Sequence, residues 1–559
     1  MRSLCVPAAS LVVALGLAAC AEPGPPPEPA PSISADSLLQ AVRILSDDSM
    51  GGRGPGSAFE DKVVRYLTAA FESIGLEPGN PDGTWTQSVA LVGFTPDPTA
   101  EFQVGRRRIP LRYRTDYVAG TRREAALVES VNSEMVFVGY GVEAPEYHWD
   151  DFKGADLTGK TVVILVNDPP VRDARDSTVL DTAMFRGNAM TYYGRWTYKY
   201  EEASRRGAAA AIIVHQTGPA GYPWDVVAGS WGAETMDVRH RDGNTGRVAV
   251  EAWITEAKAR ELFRASGHDF DALAASARLP GFAPVPLGAT ATFRINNAVR
   301  TVDTRNVVAK ITGTDPALRD EYVIFTAHWD HLGIGQPVEG DSIYNGALDN
   351  ATGVAALLEL ARGYQGLAEK PKRTLIFLAV TAEEKGLLGA RYYVGNPLYP
   401  LTKTVANFNI DGLNQWGPTS DITVVGLGNS TLDDVLGVVA GGRQRTLSPD
   451  AEPEKGFYFR SDHFEFAKQG VPAMYLDAGT KYIGKPEGFG KQKRDEYTER
   501  DYHQPSDEVK ANWDLRGAVA DLGLIFEVGR RVANDSIWPT WKAGTEFKSI
   551  RDSSLAKKQ

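Results

Sequence analysis

The stretch EYVIFTAHWDH, residues 321–331, decides the fold. It is an apolar run of strand length that closes on a histidine, so His328 emerges at the carboxyl end of a buried strand. Asp330, two positions on, points the same way along extended backbone. Three further runs read alike: NVVAKITG at 306–313, TLIFLAVTAEE at 374–384 and VANFNIDG at 405–412. Residues 349–364 and 386–394 carry helical patterns between them. Strand alternating with helix over 302–530 predicts an α/β sheet covered on both faces. Such a sheet places its crevice just beyond the strand ends, where the histidines and carboxylates of these runs fall.

Those residues have a chemical logic. Asp330 is positioned to accept the second imidazole proton of His328, the outer carboxylate that a metal-ligating histidine commonly needs. His331 should alternate away from His328, and the sequence leaves open whether it touches the site. In NGALDNATGVAALLEL (345–360), Gly346 permits a tight turn and a helix is expected to begin at Asp349. That aspartate reads either as a helix N-cap, worth about 1 kcal/mol, or as a carboxylate whose two oxygens bridge two cations. Glu383 and Glu384 leave a buried strand together, and adjacent carboxylates there diverge. Glu384 is expected to bind metal. Glu383 is expected to be the general base, taking a proton from water that nearby cations acidify toward a pKa of roughly 7. Asp411 closes another apolar strand. His503, in DYHQPSDE (501–508), is stiffened by Pro505, with Asp507 as its expected orienting partner.

Together these motifs resemble peptidase family M28, zinc peptidases whose catalytic domain has the aminopeptidase-type α/β fold. The resemblance implies two Zn2+ per chain, with His328 and Asp411 on one, Glu384 and His503 on the other, Asp349 bridging and Glu383 as base. RSDHFEFAKQGVPAMYL (460–476) matches as well. It implies that His463 lies beside the cleft, where it either contacts substrate or locks its loop to the core. The implied activity is removal of N-terminal residues from peptides. An aminopeptidase is preferred because no arginine pair for a substrate carboxylate accompanies the motifs, although Arg391 and Arg460 weaken that argument. The alternatives are a carboxypeptidase or dipeptidase using the same metals, single-zinc glutaminyl cyclisation, and a receptor-like ectodomain without catalysis.

The texture changes from about Val128 to Arg260. EMVFVGYGV, KTVVILVND and AAAAIIVHQ are short apolar strands separated by turn residues. VFVGYGVEAPEYHWDDFKGADLTGKTVVIL and ASRRGAAAAIIVH resemble the protease-associated domain, a noncatalytic module. His148, His215 and His240 lie here without ligand-like spacing and read as structural or surface residues. The expected fold class is therefore a zinc-aminopeptidase-like mixed sheet flanked by helices, formed by 33–127 and 261–537. A β-rich protease-associated insert occupies 128–260, and a tail covers 538–559. That tail, with its aromatic stretch SIWPTWKAGTEF, is expected to cover the catalytic domain or meet another subunit.

The chain begins with an export signal: Arg2, then an apolar run from Val6 to Ala19 too short to span a bilayer comfortably. LGLAAC resembles the bacterial lipobox, implying cleavage of 1–19 and a lipid on Cys20. Residues 21–32, AEPGPPPEPAPS, read as an extended tether. The lipid implies a membrane surface, and Ala21 favours the outer membrane facing the periplasm. The only other cysteine, Cys5, lies in the signal, so no disulfide is expected to brace the mature chain. With 559 residues, 43% of them hydrophobic, the chain can bury a large core. Its net charge of -11 offers no basic surface for nucleic acid; a peptide substrate fits better.

Overall fold

A computed structural model describes residues 33–231 and 233–556; the expected signal, Cys20 and the tether lie outside the described residues. Strands Tyr322–His328, Thr374–Val380 and Thr404–Asn409 are buried along their whole length. Their side chains divide by the pleat, as period-two geometry requires. Val323, Phe325 and Ala327 enter one core, where Phe325 stacks on Phe377 and Phe408 at 5.4 and 5.1 Å. Helices Thr352–Gln365 and Arg516–Asn534 cover that face through Tyr364 and Phe526. Ile324 enters a second core with Ile376, Leu378, Tyr393 and Phe466. Helices on both faces explain why these strands read as unbroken apolar runs.

The three strands are parallel, with 322–328 in the middle. The chain goes first to 374–380 on one side and later to 404–409 on the other. His328 therefore stands at a topological switch, where an open α/β sheet leaves its crevice.

The sheet continues well beyond this domain. The 27-residue strand Val285–Ile311 pairs through its last residues with 374–380 and through its first with Leu127–Phe137. Thr86–Val104 runs antiparallel beside it. Past 127–137 lie Thr161–Leu165, Ala210–His215 and Val250–Thr255, all parallel, closed by the antiparallel Tyr117–Gly120. One core here gathers Phe102, Ile109 and Tyr117 with Phe263, Phe270, Phe293 and Ile295. The inserted module thus recruits residues on both sides of 128–260. The alternation in 285–295 explains why: Leu287, Ala289, Ala291, Phe293 and Ile295 all point inward.

The tail packs on the catalytic domain. Trp541 and Phe547 are buried, and the Trp541 indole donates to the Gly470 carbonyl at 2.8 Å. His215 is buried among Tyr222, Trp224 and Trp253, away from any ligand cluster. No helix among the described residues is long and apolar enough to cross a membrane.

Candidate metal centre

His328, Asp349, Glu383, Glu384, Asp411 and His503 converge beyond the strand ends. The His328 Nε2 lies 3.3 Å from Asp349 Oδ1 and 3.2 Å from Asp411 Oδ1. The His503 Nε2 lies 3.3 Å from Asp349 Oδ2 and 3.0 Å from Glu384 Oε2. Asp349 thus presents one oxygen to each half of the site.

The His328 tautomer follows from its partner. Its Nδ1 lies 3.1 Å from the Asp330 backbone carbonyl, which can only accept, so Nδ1 carries the proton. Nε2 then faces the carboxylates, and in the neutral ring its lone pair is free to bind a metal. The expected role of Asp330 is corrected here. Its carboxylate is 3.8 Å from Nδ1 and instead accepts from the backbone N–H groups of Glu383 and Glu384, at 3.1 and 3.4 Å. The strand ends at His328, so the extended geometry that aligned the two side chains does not continue to residue 330.

Asp349 does not cap a helix. The helix starts at Thr352, and the Asn350 side-chain oxygen accepts from the Gly353 N–H at 2.8 Å. Asp349 is left free to face the cluster. Gly346 makes the turn with φ 54°, and a Cβ there would stand 2.1 Å from the Asp349 carbonyl oxygen. Asp507 does not orient His503 as expected; its carboxylate holds the Asp349 loop by accepting from the Leu348 and Asp349 amides. His503 stacks instead on Tyr502, with ring centroids 3.9 Å apart.

His331 is buried, and its Nδ1 lies 2.7 Å from Glu384 Oε1. With Asp349 and Glu384 it makes a second compact ligand trio. His503 is nevertheless the better partner for the other Glu384 oxygen. Its Nε2 approaches two carboxylates without hydrogen-bonding geometry to either, the placement expected where a cation sits between them. Ser461 donates to Asp411 Oδ2 at 2.6 Å and accepts from the Asn409 side chain at 2.7 Å, fixing the Asp411 carboxylate. His463 faces the core, wholly buried between Tyr458 and Tyr475. Burial lowers its pKa to about 3, so the ring is neutral.

One organising residue escaped the sequence reading. Arg53, fully buried, donates through its guanidinium to the carbonyls of Trp329, Leu45, Asn345 and Gly346. It ties the end of the His328 strand to the Asp349 turn. Gly52 beside it adopts φ 62°, and a Cβ there would meet the Gly333 and Tyr344 carbonyls at 2.5 and 2.6 Å. The available signal was an arginine set among the glycines of GGRGPGS, residues 51–57.

Electrostatically the site calls for cations. Asp330, Asp349, Glu383, Glu384, Asp411 and Asp462 crowd together, while Arg53 spends its donors on backbone. Burial opposes charge on His328, yet Glu383 and Asp411 raise its pKa well above the usual value. The two glutamates separate. Burial first, then Glu384 and Asp411, push Glu383 well up against the pull of His328. Burial and Asp349 also work against Glu384, but the neighbouring His331 and His503 hold it down to about 2. Neighbouring carboxylates driven apart in this way are suited to different roles. Nitrogen and carboxylate donors at these spacings fit divalent zinc.

Residues 306–525 match the family described as Peptidase family M28. A probable zinc metalloprotease of Pyrenophora teres f. teres is 39% identical over 90 residues, 16% of this chain and 18% of that protein. Aminopeptidase NAALADL1 of Mus musculus is 33% identical over 141 residues, 24% of this chain and 17% of that protein. The chain thus matches less than a fifth of the length of these curated relatives. Among solved structures, an aminopeptidase from Aneurinibacillus sp. strain AM-1 aligns over 91% of this chain and 96% of its own, with 21% identity and a TM-score of 0.44.

Proposed function

We propose that this protein is a two-zinc exopeptidase, an aminopeptidase that hydrolyses N-terminal residues from peptides. The observation that carries the reading is Asp349, whose two oxygens face His328 on one side and His503 on the other. His328 and Asp411 would hold one zinc, Glu384 and His503 the other, and Asp349 would belong to both. Zinc bound there supplies Lewis acidity, acidifying water and polarising a peptide carbonyl. Glu383, unbound and beside the cluster, takes the proton of the attacking water and returns it to the departing amine. Asp330 fixes both glutamates by their amides, His331 orients Glu384, and Ser461 orients Asp411. The insert walls the cleft and narrows access to peptide ends.

The test compares peptides with free and blocked N-termini before and after chelation. Cleavage restricted to free N-termini, abolished by chelator and restored by zinc, is expected. Cleavage of N-blocked peptides from the carboxyl end would replace the aminopeptidase reading with a carboxypeptidase one.

The lipobox-like LGLAAC supports a second part of the proposal: anchoring through lipidated Cys20, with the enzyme on the periplasmic face of an outer membrane. Mass spectrometry of the mature N-terminus tests it. An unmodified chain lacking Cys20 would refute anchoring.

A further inference from the structure

The cleft in front of Glu383 and Glu384, a cavity of 250 Å³, is walled on one side by the inserted module. Its lining is rich in cations, and most are neutralised. Arg391 pairs with Asp237 at 3.2 Å and Glu465 at 3.5 Å. Arg247 and Arg122 share Glu251, and Lys468 pairs with Glu201. Two arginines differ: Arg195, which precedes helix Trp196–Arg205 of the insert, and Arg460, from the catalytic domain. Among the described residues neither has a carboxylate partner, and the Arg195 Nε is buried without a hydrogen-bond acceptor. The two also feel each other. Burial first and then the Arg460 charge lower the Arg195 pKa to about 10.

A half-buried guanidinium beside a like charge, with no anion, costs stability. Folding alone gives no reason to keep it in a cleft that opens on two glutamates. Guanidinium groups match carboxylates in geometry as well as charge, holding them by paired N–H bonds. We propose that Arg195 and Arg460 form a subsite for a carboxylate of a short peptide substrate, so that the insert reads the end of the peptide away from the bond that is cut. This rests on the peptidase reading above and deepens it. The carboxylate comes either from the peptide C-terminus or from an acidic side chain.

The experiment uses the full-length, zinc-loaded protein. Substrates are a neutral tripeptide with a free C-terminus, its C-terminal amide, and an amidated tripeptide carrying glutamate. kcat and KM are measured for wild type, Arg195→Gln, Arg460→Gln and Arg195→Lys, with melting temperature and zinc content as folding controls. The acid or the glutamate amide should exceed the neutral amide in kcat/KM by about tenfold or more, chiefly through KM. Arg195→Gln and Arg460→Gln should bring that ratio toward unity, and Arg195→Lys should restore part of it. Preference for the free acid assigns the terminal carboxylate; preference for the glutamate amide assigns the side chain. Equal rates on all three, unmoved by the substitutions, would overturn the subsite and leave the peptidase reading standing. A folded, zinc-loaded wild type that cleaves none of them would overturn both.

Discussion

The Asp507 carboxylate grips the backbone of Asp349: Oδ2 lies 3.1 Å from the Asp349 amide nitrogen and Oδ1 3.0 Å from that of Leu348. Tyr497 donates its hydroxyl to the same Oδ2 at 3.1 Å. Burial raises the Asp507 pKa to about 6, against the pull of the two amides. The residue that faces both halves of the metal site is thus held by its main chain, leaving both of its own oxygens free. Replacing Asp507 with alanine should cut zinc affinity by roughly 10- to 100-fold, the usual cost of losing a group that positions a ligand. Competition with a chelator of known affinity measures it. Unchanged affinity would mean that the turn holds itself.

The paired glutamates should separate on mutation. Glu383→Gln should keep its zinc and lose about 10²- to 10⁴-fold in kcat, the range for a general base. Glu384→Gln should lose zinc as well as activity. Metal analysis beside steady-state rates distinguishes them, and zinc loss on replacing Glu383 instead would reverse the two assignments.

Arg53→Lys should destabilise the fold by about 3 kcal/mol or more, because an ammonium cannot serve four carbonyls and leaves buried acceptors unpaired. Urea unfolding followed by fluorescence reads this directly. A midpoint equal to wild type would show that water replaces the missing donors.

Much of the catalytic domain was legible in the sequence. Strands 322–328, 374–380 and 404–409 lie between two helical layers, and burial on both faces leaves an unbroken apolar signature. His328, Asp349, Glu384 and Asp411 follow such strands or their turns, so their convergence could be foreseen. The roles of Asp330 and Asp507 could not. Each carboxylate takes backbone N–H groups brought to it by chain folding, and no local spacing encodes a backbone donor more than 50 or 150 positions away. Arg53 was hidden for the same reason, since its acceptors include carbonyls of residues 329, 345 and 346. The edge of the insert was obscured differently. Residues 285–295 alternate cleanly, but the strand continues without a break into the catalytic sheet, so no composition shift marks the change of core.

Acid should loosen the contact between insert and catalytic domain. Glu201 of the insert and Lys468 pair at 2.9 Å. Burial opposes ionisation of Glu201, but Lys468 and the Tyr192 hydroxyl hold its pKa down to about 2. A folded pKa below the unfolded one means that the stabilisation is fully present above roughly pH 4.5 and is lost as pH falls toward 2. Glu201→Gln should therefore lower the melting temperature near pH 7, an effect on the order of 1–3 kcal/mol, and should narrow its gap to wild type by pH 3. A constant gap over that range would show that the pair contributes packing and not charge.

The most direct test of the central claim is zinc stoichiometry in wild type and in Asp349→Asn, by metal analysis of protein dialysed free of loose metal. The geometry at Asp349 predicts two zinc ions per wild-type chain, with weakened retention of both after the substitution. One zinc per wild-type chain, or an Asp349→Asn protein that keeps two at undiminished affinity, would contradict it.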